Sequence, residues 1–279
     1  MKDVFDFKRF GKYFLYDLNN ARGNYLVTAV TLGLLPLILL MFHVIFSLIF
    51  TGSVGTVLLP LKVVLLCCVL LICILSAPAK LYGGLTERRM GSDWLLIPAS
   101  SFEKFLSMAI MLCIVLPVVV LGLFSICDVL LSWILPSYYG ESLLSTIANG
   151  WNTISSEISD SMDNVMSISA PAFYDMLWLS WCSYILPFGL GAIIFKKGKA
   201  AKTILCLVGI QMVFSIIFTL WAMHGFNGDA IADWFTRNAE NMTAAKAQAW
   251  INSFINISFL IVVGGLLTGL FFRVKTIKQ

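Results

Sequence analysis

The chain has 279 residues, of which 59% are hydrophobic and 12% are charged. Its mean hydropathy of +0.90 exceeds what a water-soluble domain of this size needs to fill a core, which excludes a soluble globular protein. The net charge of +4 at pH 7 is spread over short segments between apolar runs. It therefore predicts an orientation in a membrane rather than binding to nucleic acid.

The N-terminal segment, residues 1–24, has the pattern of an amphipathic helix. Phe7, Phe10, Phe14 and Leu18 recur at helical spacing, and most charged residues lie off that stripe. We expect this helix to lie on the inner membrane surface. A basic flank that only orients the first span would have the same composition, and both interpretations can hold together.

Six continuously apolar runs follow, and each has about the 20 residues that a helix needs to cross a bilayer. They cover residues 25–50, 57–79, 108–135, 173–195, 203–223 and 251–272. Because the runs do not alternate between apolar and polar residues, they predict helices rather than strands of a β-barrel. We therefore expect an all-α integral membrane protein with six transmembrane helices, forming a single membrane domain over residues 1–279.

Two longer connections, residues 136–172 and 224–250, are expected on the outer side of the membrane. In the first, apolar residues around Trp151 recur at steps of three and four, which predicts a short amphipathic external helix. The second resembles a short helical hairpin. Most of the 19 lysines and arginines fall on the other side when the N-terminus is inside, so both termini are expected in the cytoplasm.

Motifs for catalysis and for cofactor binding are absent from the sequence. It contains no phosphate-binding GxxxxGK[ST] loop, no zinc-binding HExxH pattern and no GxSxG turn for a nucleophile. We expect no catalytic, cofactor-binding or metal-binding residue in this chain, and no enzymatic activity of its own. An intramembrane enzyme remains an alternative only if His43, Asp128 and His224 converge in one cavity.

Asp128 is the one carboxylate well inside a predicted span. Ionisable groups are costly in a bilayer, and they usually face the protein interior or a water-filled cavity. Asp128 is therefore a candidate residue of a substrate pathway. The simpler interpretation is a carboxylate near the end of a helix, where water reaches it.

A charged and aromatic segment, residues 80–107, separates the second and third apolar runs. Its charged groups can make charge-assisted contacts to a partner, and its tryptophan and leucines supply apolar anchors. The candidate partner-binding residues are Glu87, Arg88, Arg89, Asp93, Trp94, Leu95, Leu96 and Pro98. An ordinary basic inner loop is the alternative interpretation of the same residues.

The order of these residues resembles the linker between the second and third helices of type-2 ABC transporter permeases. The resemblance implies the transmembrane subunit of a bacterial ABC exporter in the cytoplasmic membrane, whose coupling segment, residues 80–107, docks on a separate ATP-binding subunit. ATP and magnesium would be bound by that subunit. The permease would form a homodimer, or a heterodimer with another permease, in contact with membrane lipid. The alternative function is a non-transporting scaffold or sensor that uses the external helix around Trp151.

Overall fold

The computed structural model describes residues 5–50, 55–86, 96–146, 170–225 and 244–277, and single residues at 52, 91, 94 and 149. These residues form helices and no strand. Five stretches are long and apolar enough to cross a membrane: Phe7–Phe50, Leu59–Thr86, Ser101–Ile134, Lys199–Leu220 and Ser253–Thr276. The all-α, multi-pass architecture is thus as expected. The described residues hold five such stretches and one shorter apolar helix, Trp178–Ile194, in the run 173–195.

The N-terminal segment and the first part of the first span form one helix. Helix α1 covers Phe7–Gly33, and Asp6 caps its N-terminus with a side chain that accepts a hydrogen bond from the Lys8 amide. A single turn at Leu34 separates α1 from α2, Leu35–Phe50. Pro36 explains the break, because proline has no N–H to donate to the carbonyl four residues earlier.

Helix α3 covers Leu59–Tyr82 and ends in a 3-10 turn, Gly83–Thr86. Helix α4, Ser101–Ile110, continues through a wide π turn, Met111–Val115, into α5, Leu116–Ile134, and the short helix α6, Pro136–Tyr139, follows. Helices α7, Ala170–Ile194, α8, Lys199–Gly225, and α9, Ala244–Thr276, complete the described elements.

The π turn has a local cause and a tertiary partner. In a π turn each amide donates to the carbonyl five residues earlier, and here the Leu116 amide donates to the Met111 carbonyl. The next amide along the helix is missing, because residue 117 is a proline. The carbonyl of Leu112 is therefore left for another group. The indole Nε1 of Trp181 in α7 donates to it at 3.3 Å, which ties the third apolar helix to the fourth.

The core lies between α1, α3, the π turn, the first half of α5, α7 and α9. Fully buried side chains there are Val69, Cys73, Ala77, Leu112, Val120, Ile185, Leu186 and Leu270. Helix α8 differs, since almost every side chain from 204 to 220 is exposed and apolar residues predominate. Such a helix needs a nonpolar surrounding, as a bilayer provides.

The bundle has a basic end and an opposite end. The basic end contains the start of α1, the end of α3, the start of α4, the turn between α7 and α8, and the end of α9. The described cations at this end include Lys8, Arg9, Lys80, Lys199 and Arg273. The turn between α7 and α8 is closed by Gly198 at φ +63, a value that favours glycine. The Nζ of Lys199 donates to the carbonyl of Gly83, so this turn is joined to the end of α3.

Candidate functional site

The predicted coupling segment is described in part. Five of its candidate residues lie outside the described residues, namely Glu87, Arg88, Arg89, Asp93 and Leu95. The other three, Trp94, Leu96 and Pro98, lie at the basic end between α3 and α4. Leu96 is 80% exposed and Pro98 is exposed as well, whereas Trp94 is half-buried.

Trp94 is held by the protein itself. Its indole Nε1 donates to the hydroxyl oxygen of Tyr13 in α1 at 3.0 Å. Its carbonyl accepts a hydrogen bond from Nζ of Lys104 in α4 at 2.8 Å, and the same ammonium lies 4.4 Å from the centre of the indole ring, within cation–π range. Trp94 therefore connects α1 to α4.

Glu103 makes a second connection between α1 and α4. Its buried carboxylate accepts hydrogen bonds from the Arg9 guanidinium at 2.7 to 3.1 Å and from the amides of Asp6 and Ser100 at 3.0 and 2.9 Å. The Ser100 hydroxyl in turn accepts from the Glu103 amide, which completes a capping box at the start of α4. One carboxylate thus holds the first turns of both helices.

Asp17 joins three elements. Its Oδ2 accepts hydrogen bonds from the Tyr82 hydroxyl at the end of α3, at 3.0 Å, and from the Ser107 hydroxyl in α4, at 2.6 Å. The residue is 7% exposed. A carboxylate this deeply buried is stable only when donors surround it. Asp17 thereby fixes α1 against both helices that flank the coupling segment.

An aromatic cluster adds α9 to the same region. Phe102 and Phe105 of α4 contact Phe271 of α9 with ring centroids 6.3 and 5.5 Å apart. Phe5 contacts Phe102 at 5.8 Å and Phe10 at 5.7 Å. We call this group of hydrogen bonds and ring contacts around Trp94, Glu103 and Asp17 the junction.

The sequence contains few signs of the junction. The pattern Ser100-x-x-Glu103 is a local signal for the start of a helix. The Arg9–Glu103 pair joins residues 94 apart in sequence, and the Tyr82–Asp17 pair joins residues 65 apart. No local pattern predicts such pairs, so Arg9, Tyr13, Tyr82 and Ser107 were missed as site residues.

Asp128 lies at the opposite end and fixes the turn after α5. It is 1% exposed; its two oxygens accept hydrogen bonds from the Tyr139 hydroxyl, at 2.5 Å, and from the Leu143 amide, at 2.7 Å. Burial, and the hydrogen bond that its hydroxyl donates to Asp128, raise the pKa of Tyr139 above its usual value. The ammonium of Lys62 lies 3.7 Å from the centre of the Tyr139 ring and donates to the Glu141 carbonyl. The role of Asp128 in a substrate pathway stays a prediction.

His43 and Asp128, two of the three residues of the intramembrane-enzyme alternative, have different hydrogen-bond partners in the described part of the chain. Nε2 of His43 lies 3.0 Å from the Gly55 carbonyl oxygen, and the side chain of His224 is outside the described residues. Within the described ranges, no three side chains of the metal-binding types are grouped together. The junction is therefore the best-defined candidate site.

Comparison of the chain with known protein families, with curated proteins and with solved structures finds no match.

Proposed function

We propose that the chain is the transmembrane permease subunit of an ABC exporter. Six helices then cross the membrane, with α7 as the fourth. The basic end and both termini are cytoplasmic, and a separate ATP-binding subunit docks on residues 80–107. ATP and magnesium are bound by that subunit. The permease pairs with a second copy or with another permease. The lopsided distribution of cations supports the orientation.

The observation that carries the proposal is the contrast between Leu96 and Trp94. Leu96 is 80% exposed, although it belongs to the segment between α3 and α4 and not to one of the long apolar helices. Two residues away, Trp94 is fixed to Tyr13 and Lys104 by hydrogen bonds. An exposed apolar side chain on an anchored base is the arrangement that a docking contact needs, because little conformational entropy is lost on binding.

The junction supplies a route for the movement of a docked subunit. A displacement at Leu96 acts on Trp94 and, through its two hydrogen bonds, on α1 and α4. Asp17 extends the connection to the end of α3 through Tyr82. The three helices would thus move as one unit, which is a rigid connection of the kind that conformational coupling requires.

Co-purification with a measured activity tests this proposal. The affinity-tagged chain is expected to isolate a second protein that carries a phosphate-binding loop, and the complex should hydrolyse ATP. Leu96→Asp places a charge at the docking contact and is expected to remove both the protein and the hydrolysis. Lys197→Asp, on the other described turn of the basic end, is the matched control and should retain both. A tagged chain that isolates no ATPase contradicts the proposal.

A further inference from the structure

A largely apolar cavity of about 440 Å³ lies on the face of α1 opposite the junction. The residues of α1 that line it, such as Leu15, Arg22 and Ala29, are on the other side of the helix from Tyr13 and Asp17, as the helical repeat of 3.6 residues requires. Its volume is in the range of about 300–1,000 Å³ that small-molecule sites have. The cavity therefore has the size for one flexible ligand, and Leu81, near the start of the coupling segment, also lines it.

The floor of the cavity is buried and its rim is exposed. Tyr25 and Ala29 of α1 and Met111 and Leu116 at the π turn line it and are buried in the core. Leu26 lines it as well and is exposed. A buried apolar floor with an exposed apolar rim fits a hydrocarbon chain that enters from the side.

Among the described residues, Arg22 is the only charged one that lines the cavity, and Asn19 lies about one helical turn before it. The Arg22 side chain is exposed, and it forms no salt bridge with any residue that the structure describes. Other exposed cations of α1, such as Lys12, add to the positive charge of this end. The cavity thus combines an apolar interior with one cation that lacks an acidic partner among the described residues.

The lining follows α1 from Leu15 to Ala29, which is about 21 Å at a rise of 1.5 Å per residue. Arg22 lies halfway along this length. The part beyond it, past Tyr25 to Ala29 and Val119, is directed into the apolar region of the bundle. A phosphate at Arg22 and a hydrocarbon chain below it would occupy the two parts of the cavity in the order in which they occur in a phospholipid.

We propose that this cavity binds an anionic phospholipid from the leaflet at the basic end, with one acyl chain on the apolar floor and the phosphate on Arg22. A neutral apolar ligand would gain nothing from the arginine, and a free phosphate would gain nothing from the floor. The inference does not depend on the proposed function, because it needs only a membrane around the bundle.

Lipid retention by the purified protein tests the site. The chain is delipidated in detergent, mixed with phosphatidylglycerol or phosphatidylcholine, and analysed by native mass spectrometry. One phosphatidylglycerol per chain is expected to be retained, with phosphatidylcholine retained at least about fivefold less. Arg22→Gln should lower phosphatidylglycerol retention about fivefold, the effect expected for one cation at a membrane surface. Lys197→Gln, which removes an exposed cation elsewhere at this end, should leave it unchanged.

A matched pair of substitutions on α5 tests the position of the acyl chain. Both Val118 and Val119 are exposed, but Val119 lines the cavity and Val118 does not. Val119→Trp should fill the cavity and reduce retention several-fold, and Val118→Trp should not.

Equal retention of both lipids, or no effect of Arg22→Gln, overturns the proposal. Full competition by glycerol 3-phosphate would show a simple anion site, and protection by a second copy of the chain would show a dimer contact; either result also overturns it.

Discussion

Among the described residues, the carboxylates of Asp17, Glu103 and Asp128 are buried. Asp17 and Glu103 accept hydrogen bonds from residues far away in sequence, and Asp128 accepts one from the amide of Leu143, in the turn after α5. Burying an ionised carboxylate is costly unless donors replace the lost water. Each carboxylate therefore determines where its donors lie. Asp17 and Glu103 do this at the junction, and Asp128 does it for the turn that follows α5.

Asp17→Ala should destabilise the protein more than Asp17→Asn. Alanine leaves the hydroxyls of Tyr82 and Ser107 buried without an acceptor, and each such group costs about 1–3 kcal/mol. We expect a loss of about 3 kcal/mol in the free energy of unfolding. Asparagine retains an oxygen that can accept, so its loss should be clearly smaller. Denaturant unfolding in detergent measures both values, and equal losses would show that the two hydrogen bonds contribute little.

At the scale of elements, the π turn, Pro117 and Trp181 form one unit. Trp181→Phe removes the donor to the Leu112 carbonyl and should cost about 1–2 kcal/mol. In a Pro117→Ala background the new amide of residue 117 can donate to that carbonyl, so the same substitution should cost much less. A double-mutant cycle on unfolding free energies measures the difference. Additive effects would mean that the indole does not replace the missing helix donor.

The contact between α7 and α8 depends on Gly191. A Cβ at this position would overlap with Thr203 Oγ1 and lie 2.9 Å from Thr203 Cβ. Gly191→Ala should therefore separate the two helices near their turn and lower the melting temperature by several degrees. A Cβ added at Gly209 in α8 would have no neighbouring atom within 4 Å among the described residues, so Gly209→Ala is the control and should be neutral or stabilising. Similar melting temperatures for the two variants would contradict this packing.

The apolar helices could be predicted from the sequence because a bilayer requires long runs without charge. Their ends were harder to predict, since helix ends depend on single residues. Helix α1 continues past residue 24 and ends shortly before the proline at position 36, and the third run begins as a helix at Ser101, where the capping box starts it. The junction could not be predicted, because the partners of Arg9 and Asp17 are more than 60 residues away.

At the scale of the whole molecule, the proposed orientation makes a prediction about each end. A green fluorescent protein fused at the C-terminus should fluoresce, because it folds only in the cytoplasm. Alkaline phosphatase fused after residue 140 should be active, because that turn lies at the opposite end, and a fusion after residue 197 should be inactive. The reverse pattern would place the basic end outside and would remove the basis for ATPase docking.

The central proposal is a helical membrane unit whose basic end presents an anchored docking contact to a cytoplasmic ATPase. The most direct test is a photo-crosslinking amino acid at position 96 in the full-length protein in cells, with position 197 as the comparison. We predict that position 96 forms a cross-link to a protein with a phosphate-binding loop and that position 197 does not. Cross-links from position 96 only to lipid or to this chain would contradict the proposal.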